Sequence, residues 1–417
     1  MKKNVERVFK NSFYLFILQG ANYILPLLVI PYLVRVLGME TFGLLAFVTA
    51  SINIFRSFVS YGFDLTGTQL ISRNRLNIKK VTIFFNSIVI VKILLAFLSF
   101  IFILGIIFVF DKFFNNWDLI FISSFLMFSD ALFPIWFFQG IEKMQVITYL
   151  RILHKTVYVL MIFIFVDTKE NVLLVPLFDF MGALFITFFA YSFIRKTFKI
   201  KFFFPKYKYL LLQIKMGWHV FLSKVSVIFY TSFNTFILGI LTTNEIVGYY
   251  SLAEKIYMAI RNLFTPIIQA LFPFLSRKYF MDKTRYFYIV NKISYIYTVA
   301  LLFLSILGYN FSSEIVFVIS GKNIAEANEI LQLLSIALAF SVGSFYSILL
   351  IIKNEGKALA RITFSIMIIN IVFIYPVIYS YGVYGLAYLF IFLQFVQSTL
   401  QIYYNKEVFF IKRGREV

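Results

Sequence analysis

Long apolar runs constrain this chain more than any other feature of its sequence. Run after run extends for roughly 20 residues, the length that spans the hydrocarbon core of a bilayer as a helix. The 417 residues are 61% hydrophobic and only 14% charged, whereas a soluble domain usually carries about 25% charged residues. A water-soluble core could not bury so much apolar surface. Lipid is therefore predicted to surround much of the chain.

The pattern predicts an all-α polytopic membrane protein with twelve transmembrane helices. The approximate limits of these helices are 13–34, 44–61, 81–110, 118–138, 152–166, 172–194, 217–241, 249–275, 293–319, 330–352, 362–380 and 383–404. The loops between them are short, so the function is expected to lie within the bilayer.

The basic residues predict how the chain is oriented, because cytoplasmic loops are enriched in Lys and Arg. If the N-terminus lies inside, thirty of the 39 Lys and Arg fall in inner loops or tails, including Arg151 and Lys155 in the region 139–155. The outer loops hold only Arg35, Lys112, Lys169 and Lys322. Both termini are therefore predicted to be cytoplasmic.

Composition also excludes several classes of function. The chain has no cysteine and only two histidines, which argues against disulfides, thiolate chemistry and a metal site. No phosphate-binding loop of the P-loop type occurs, so ATP is not expected to drive the protein directly. The basic residues cluster in short loops, which argues against nucleic acid as a partner. No cofactor is predicted.

The two halves of the chain share a spaced motif. The pattern Glu-x2-Gly-x12-Arg occurs as Glu40, Gly43 and Arg56 and again as Glu245, Gly248 and Arg261. The loops that follow carry Ile71-Ser72-Arg73 and Leu275-Ser276-Arg277. These matches predict two six-helix lobes, 1–208 and 209–417, related by a pseudo-two-fold axis along the membrane normal. Transporters with this architecture bind substrate between their halves.

A set of short segments carries a resemblance to a known family: Asn11-Ser12, Pro26, the stretch from Pro31 to Gly38, Glu40 to Gly43, Tyr61 to Asp64, Gly67-Thr68, Ile71-Ser72, Trp136 to Gly140, Glu142 to Met144, Gly248 to Tyr250 and Glu254-Lys255. In these segments the sequence resembles the Wzx-type O-antigen flippases of the polysaccharide transport family, within the multidrug/oligosaccharidyl-lipid/polysaccharide (MOP) exporter superfamily. It is most specific over the first 75 residues and weaker in the C-terminal half.

This resemblance implies a MATE-like fold and a function. The expected protein is a non-enzymatic flippase of the bacterial cytoplasmic (inner) membrane that works by alternating access. Its expected cargo is an undecaprenyl-pyrophosphate-linked oligosaccharide, and its expected partners are membrane lipid, a glycan polymerase and a chain-length regulator. The related lipid II flippases usually have fourteen helices, so the twelve expected here depart from their pattern.

Charged residues within the predicted spans mark candidate sites, because a charge in mid-membrane is costly and usually faces a cavity or a partner. The residues predicted to bind the substrate headgroup are Arg56, Arg261, Lys224, Lys92, Asn53 and Arg35. Asp179, Asp130 and Glu254 are candidates for coupling to a sodium or proton gradient. The acids can instead neutralise neighbouring cations, and the cations can instead snorkel to the interface.

Two other functions stay open at this point. A drug or metabolite exporter of the same superfamily would have the same fold, although a small cationic drug would favour an acidic lumen. A membrane O-antigen polymerase or ligase would have a similar helix count but a large outer loop. Basic residues exceed acidic ones inside the predicted spans, which favours an anionic cargo.

Overall fold

The computed structural model describes the backbone of residues 2–410 and most of their side chains; those of residues 2–19, 21–27, 266, 269, 270, 273, 409 and 410 lie outside the description. Within this range every regular element is helical. The two terminal residues, Met1 and Val417, which are predicted to be cytoplasmic, lie outside the described residues.

By their contacts the residues form two compact units, Met1–Phe236 and Ile237–Val417. The helices up to the boundary are α1 (Lys2–Ser60), α2 (Phe63–Asn74), α3 (Ile78–Val109), α4 (Asp111–Phe114), α5 (Trp117–Leu132), α6 (Ile135–Gly140), α7 (Met144–Phe165), α8 (Leu174–Phe198) and α9 (Tyr207–Ile228). Helix α10 (Ser232–Leu241) crosses the boundary between the units.

The second unit continues with eight helices. They are α11 (Asn244–Asn262), α12 (Thr265–Met281), α13 (Lys283–Asn310), α14 (Ser312–Ser320), α15 (Ala325–Ala339), α16 (Gly343–Ile352), α17 (Gly356–Tyr404) and α18 (Glu407–Phe410). Two short 3₁₀ segments, Lys169–Leu173 and Phe340–Val342, precede α8 and α16. The predicted boundary between lobes at 208/209 rests on the sequence repeat and stays a prediction.

Glycines with positive φ divide the two longest helices. Gly38 has φ 74° inside α1, and Gly382 has φ 59° inside α17. Glycine lacks the Cβ that makes such angles costly for other residues. Each long helix is therefore two helical segments joined at one residue.

Eight helical stretches among the described residues are long and apolar enough to cross a membrane, and α9 with α10 makes a ninth if that bent pair is one span. The angle between α9 and α10 is 48°. Large apolar side chains on α3 and α8 are exposed, including Ile101 at 64% and Phe188 at 69%. Such surfaces are expected where lipid is the solvent. The protein is a multi-pass membrane protein.

The fifth predicted span was placed wrongly at its start. Helix α7 begins at Met144, eight residues before the predicted residue 152, and Arg151 and Lys155 lie in it rather than in a loop. Polar residues in its first turns dilute the apolar signal there. The inner loop predicted over 62–80 is also largely helical, because α2 occupies most of it.

The first unit has an aromatic core that includes the short helix α6. Trp136, Phe137 and Phe138 of α6 are fully buried. Helix α2 packs against α6, where a Cβ on Gly140 would lie 2.6 Å from the Cβ of Ile71. This close approach of two backbones requires a glycine.

Candidate functional site

Arg56 forms an ion pair inside the first unit. Its Nε donates to Asp130 Oδ2 at 2.5 Å, joining α1 to α5. Its Nη1 donates to the side-chain oxygen of Asn53, one turn earlier, at 3.3 Å. The two charged side chains are 29% and 28% exposed. Asn53 thus helps to orient Arg56.

Lys92 forms a hydrogen bond with the backbone of the same residue, Asp130. The ammonium group, on a side chain that is 3% exposed, donates to the carbonyl oxygen of Asp130 at 2.5 Å. In a regular helix that carbonyl would accept from the residue four positions later, but this residue is Pro134, which has no N–H. Pro134 therefore leaves a backbone oxygen near the end of α5 that Lys92 satisfies.

Asp179 on α8 is held by two residues of α7. Its Oδ1 accepts from Lys155 Nζ at 3.3 Å and lies 3.1 Å from His154 Nε2. The same Nε2 lies 3.0 Å from the backbone oxygen of Asp179. A Cβ on Gly182 would lie 2.6 Å from His154 Cδ2, so the glycine makes room for the imidazole ring.

A polar cavity lies between α1, α5, α7 and α8. Its lining includes Arg56, Asp130, Arg151, His154, Lys155 and Asp179. The guanidinium carbon of Arg151 lies 4.7 Å from the centre of the Phe133 ring, which is a cation–π distance. Three cations and two carboxylates therefore share the cavity, and the balance favours an anionic ligand.

Lys224 of α9 belongs to a neighbouring cluster. Its Nζ donates to Asp64 Oδ2 at 2.7 Å and to Ser60 Oγ at 3.2 Å. Lys92 interacts electrostatically with both Asp64 and Asp130, which connects this cluster to the cavity. The charged residues of the cavity and of this cluster thus form one network in the first unit.

Close packing holds α9 against the turn between α1 and α2. A Cβ on Gly217 would lie 2.7 Å from Tyr61 Cδ1, and the rings of Tyr61 and Phe221 stack at 4.6 Å. The ion pair between Lys224 and Asp64 lies beside this contact, since Asp64 follows the turn directly.

We expect Lys224→Met and Asp64→Asn each to lower the stability of the first unit. Each removes one partner of a half-buried pair, so the loss should be about 1–3 kcal/mol. The double variant should lose less than the sum of the two single losses. Thermal unfolding of the four proteins in detergent measures this coupling, and strict additivity would show that the pair contributes nothing.

In the second unit, Arg261 and Glu254 lie on α11 and are half-buried. The hydroxyl group of Tyr257 lies beside Arg261 and 2.8 Å from Ser341 Oγ.

Arg35 of the first unit is exposed, three residues before Gly38. Whether Arg56 and Arg261 face one cavity concerns both units and stays a prediction.

The repeated motif has the same helical register in each unit. Gly38 interrupts α1 two residues before Glu40, and Thr243 caps α11 two residues before Glu245. Both motif glycines, Gly43 and Gly248, are buried. The two arginines therefore lie at equivalent distances from the starts of their helical segments.

Sequence reasoning missed four residues of this network as site candidates: Asp64, Arg151, His154 and Lys155. Asp64 was placed in an inner loop. The spacing of Arg151, His154 and Lys155 was a signal in the sequence, because residues three and four apart lie on the same face of a helix. Arg151 and Lys155 were counted only as positive charges of a loop.

Comparison with known sequences extends along most of the chain. The profile of a family described as "Polysaccharide biosynthesis protein" matches residues 8–278. A protein of Shigella dysenteriae named "Putative O-antigen transporter" is 29% identical over 392 residues, covering 91% of this chain and 95% of its own. A protein of Escherichia coli (strain K12) with the same name is 29% identical over 387 residues, covering 90% and 91%.

Solved structures share the fold. The lipid II flippase MurJ in an inward closed conformation superposes with a TM-score of 0.72 at 16% identity, covering 95% of this chain and 87% of its own. An inward-facing MATE family multidrug resistance transporter of the MOP superfamily gives 0.71 at 14% identity, covering 92% and 97%. The chain therefore has the fold of these transporters.

Proposed function

Because the chain belongs to the polysaccharide biosynthesis protein family, we propose that it is a flippase for an undecaprenyl-pyrophosphate-linked oligosaccharide. It would carry an O-antigen or related repeat unit from the cytoplasmic to the outer leaflet of the bacterial inner membrane. The names of its relatives support this cargo, since each relative aligns over about nine tenths of the chain.

The observation that carries the proposal is the charge of the buried network in the first unit. Its cations are Arg56, Lys92, Arg151, Lys155 and Lys224, and its carboxylates are Asp64, Asp130 and Asp179. An uncompensated cation within a membrane is costly, so the surplus favours a bound anion. A pyrophosphate headgroup is such an anion, and Arg suits phosphate through its forked donors. A small cationic drug fits this network poorly.

The proposed architecture has twelve spans in two six-helix lobes, 1–208 and 209–417. It follows from counting each part of the divided helices α1 and α17 as a span and from joining α9 to α10 and α11 to α12. The shared register of the motif supports equivalent lobes. Alternating access would then expose a central headgroup site, with Arg56 and Arg261 contributed by opposite lobes, to one side at a time.

The energy source in this proposal is an ion gradient or consumption of the product outside. Asp179, Asp130 and Glu254 remain the proposed coupling residues. Asp130 pairs with Arg56 and Asp179 pairs with Lys155. An anionic cargo would compete with these carboxylates for the two cations, whereas a coupling ion would compete with the two cations for the carboxylates. A glycan polymerase and a chain-length regulator are the proposed partners, since they would consume the repeat unit at the outer face.

Complementation tests this function. We expect the chain to restore surface glycan in a bacterium whose own O-antigen flippase gene is deleted and whose glycosyltransferases make a matching repeat unit. Detection of polymerised glycan on intact cells is the readout. Full-length protein in the membrane without surface glycan, for any repeat unit tested, would contradict the proposal, and resistance to cationic drugs instead would favour an exporter.

A further inference from the structure

Two side-chain nitrogen atoms of residues that line the cavity of the first unit are buried and have no hydrogen-bond partner among the described residues. They are Arg151 Nε and His154 Nδ1. Both residues line the same cavity, and the His154 side chain is only 5% exposed. A buried polar atom without a partner costs about 1–3 kcal/mol. A ligand that forms hydrogen bonds with these two atoms would remove that cost.

The surroundings of His154 fix which nitrogen bears the proton. Its Nε2 faces two acceptors, the carboxylate and the backbone oxygen of Asp179. Nε2 must therefore be the N–H donor, and Nδ1 carries a lone pair when the ring is neutral. A second proton would go to Nδ1, which would then become a donor, on a residue that lines the same cavity as Arg151.

Arg151 stacks on the Phe133 ring but forms no ion pair with a carboxylate among the described residues. The other cavity cations are engaged, Arg56 by Asp130 and Lys155 by Asp179. Arg151 and His154 are three residues apart on α7, so they share a helix face. Both side chains therefore lie on one side of α7, and charge-assisted hydrogen bonds of the kind that Arg donates to phosphate are the strong ones.

We propose that Arg151 and His154 form a binding site for a phosphate-class anion, and that His154 takes up a proton as the anion binds. The proposal rests on the function proposed above, in which this anion is the pyrophosphate group of the cargo. The proton comes from water, binds Nδ1 and leaves when the anion leaves, and no covalent bond forms. Cargo binding and proton uptake would thereby be linked at one site.

The sign of the pH dependence follows from the charges around His154. The groups that face it are Arg151 and Lys155 on α7, Asp179 on α8, Arg56 on α1 and Asp130 on α5. Imidazole is the side chain that normally changes charge between about pH 5 and pH 8. A bound anion adds negative charge beside the ring and so favours its protonated form, which means that the anion should bind more tightly as pH falls.

The test uses purified full-length protein in nanodiscs of zwitterionic lipid. The probe is a short-chain polyprenyl pyrophosphate that carries one sugar, titrated at about pH 8 and about pH 6. We expect Arg151→Gln to weaken binding about 10- to 100-fold, the loss typical of a charged hydrogen bond. Arg75→Gln is the matched control, because Arg75 pairs with Glu142 outside the cavity and should bind as the wild type does.

His154→Gln tests the proton. Glutamine can keep the hydrogen bond to Asp179 but cannot take up a second proton. The wild type should bind more tightly at the lower pH, by up to about tenfold per pH unit for one linked proton, whereas the variant should bind equally at both.

Each negative result has a different interpretation. Unchanged binding by Arg151→Gln, a wild-type affinity independent of pH, or no binding by the wild type would overturn the site. A dependence on Arg151 for phosphatidylglycerol but not for the sugar-linked pyrophosphate would assign the site to membrane lipid and overturn it as a cargo site. Failure of the wild-type chain to restore surface glycan would instead count against the function proposed for the whole protein.

Discussion

Arg56→Ala should abolish surface glycan and also destabilise the protein. The substitution leaves the Asp130 carboxylate without its arginine in the interior of the first unit. Breaking a buried ion pair by removing one partner costs about 3–5 kcal/mol, and partial exposure of this pair places the expected loss near the lower end. Thermal unfolding in detergent and the amount of protein in the membrane measure the loss of stability.

Two further variants separate stability from transport. Arg56→Gln combined with Asp130→Asn replaces the ion pair by a neutral pair that can still hydrogen-bond, so stability should largely return. Surface glycan should not return, because a pyrophosphate headgroup requires positive charge. Arg56→Lys should rescue transport in part, since it keeps the charge but loses the forked geometry. Normal glycan from the neutral double variant would show that Arg56 is only structural.

Gly62→Ala should destabilise the first unit by about 2–5 kcal/mol, the combined cost of left-handed strain and overpacking. Gly62 has φ 81°, and a Cβ there would lie 2.6 Å from Val220 Cγ1 on α9. The substitution would thus push α9 away from the turn before α2, beside the ion pair of Lys224 and Asp64. Unfolding temperature and surface glycan should both fall.

Gly105→Ala is the control for Gly62→Ala. Gly105 lies within α3, and a Cβ there would meet nothing within 4 Å. Alanine is the better helix former by up to about 1 kcal/mol, so this variant should be as stable as the wild type or slightly more stable. Equal unfolding temperatures for the two alanine variants would contradict the close packing of α9 on this turn.

Most helices could be predicted from the sequence, because an apolar run in lipid must satisfy its backbone polar groups internally. The resemblance to Wzx-type flippases, strongest in the first 75 residues, is confirmed by the family match over residues 8–278 and by the two O-antigen transporter relatives. The start of helix α7 was predicted eight residues too late because Gln145, Thr148 and Arg151 lower the hydropathy of its first two turns.

The partners of the charged residues could not be predicted in the same way. Arg56 and Asp130 are 74 residues apart, and only the packing of α1 against α5 brings them together. Lys92 satisfies a backbone oxygen, a partner that a search for acidic side chains does not consider. Pro134 did indicate that the carbonyl of Asp130 needs another donor, since a proline in a helix leaves the carbonyl four residues before it without its usual N–H partner.

The most direct test of the central claim is the leaflet in which the lipid-linked repeat unit lies. Cells without their own flippase can be labelled with a membrane-impermeant reagent for the glycan after the outer membrane is opened. With the wild-type chain, repeat units should become accessible from the outer face of the inner membrane, and with the neutral double variant of Arg56 and Asp130 they should not. Repeat units that stay inaccessible while the folded wild-type protein is present, or that become equally accessible with the double variant, would contradict the account.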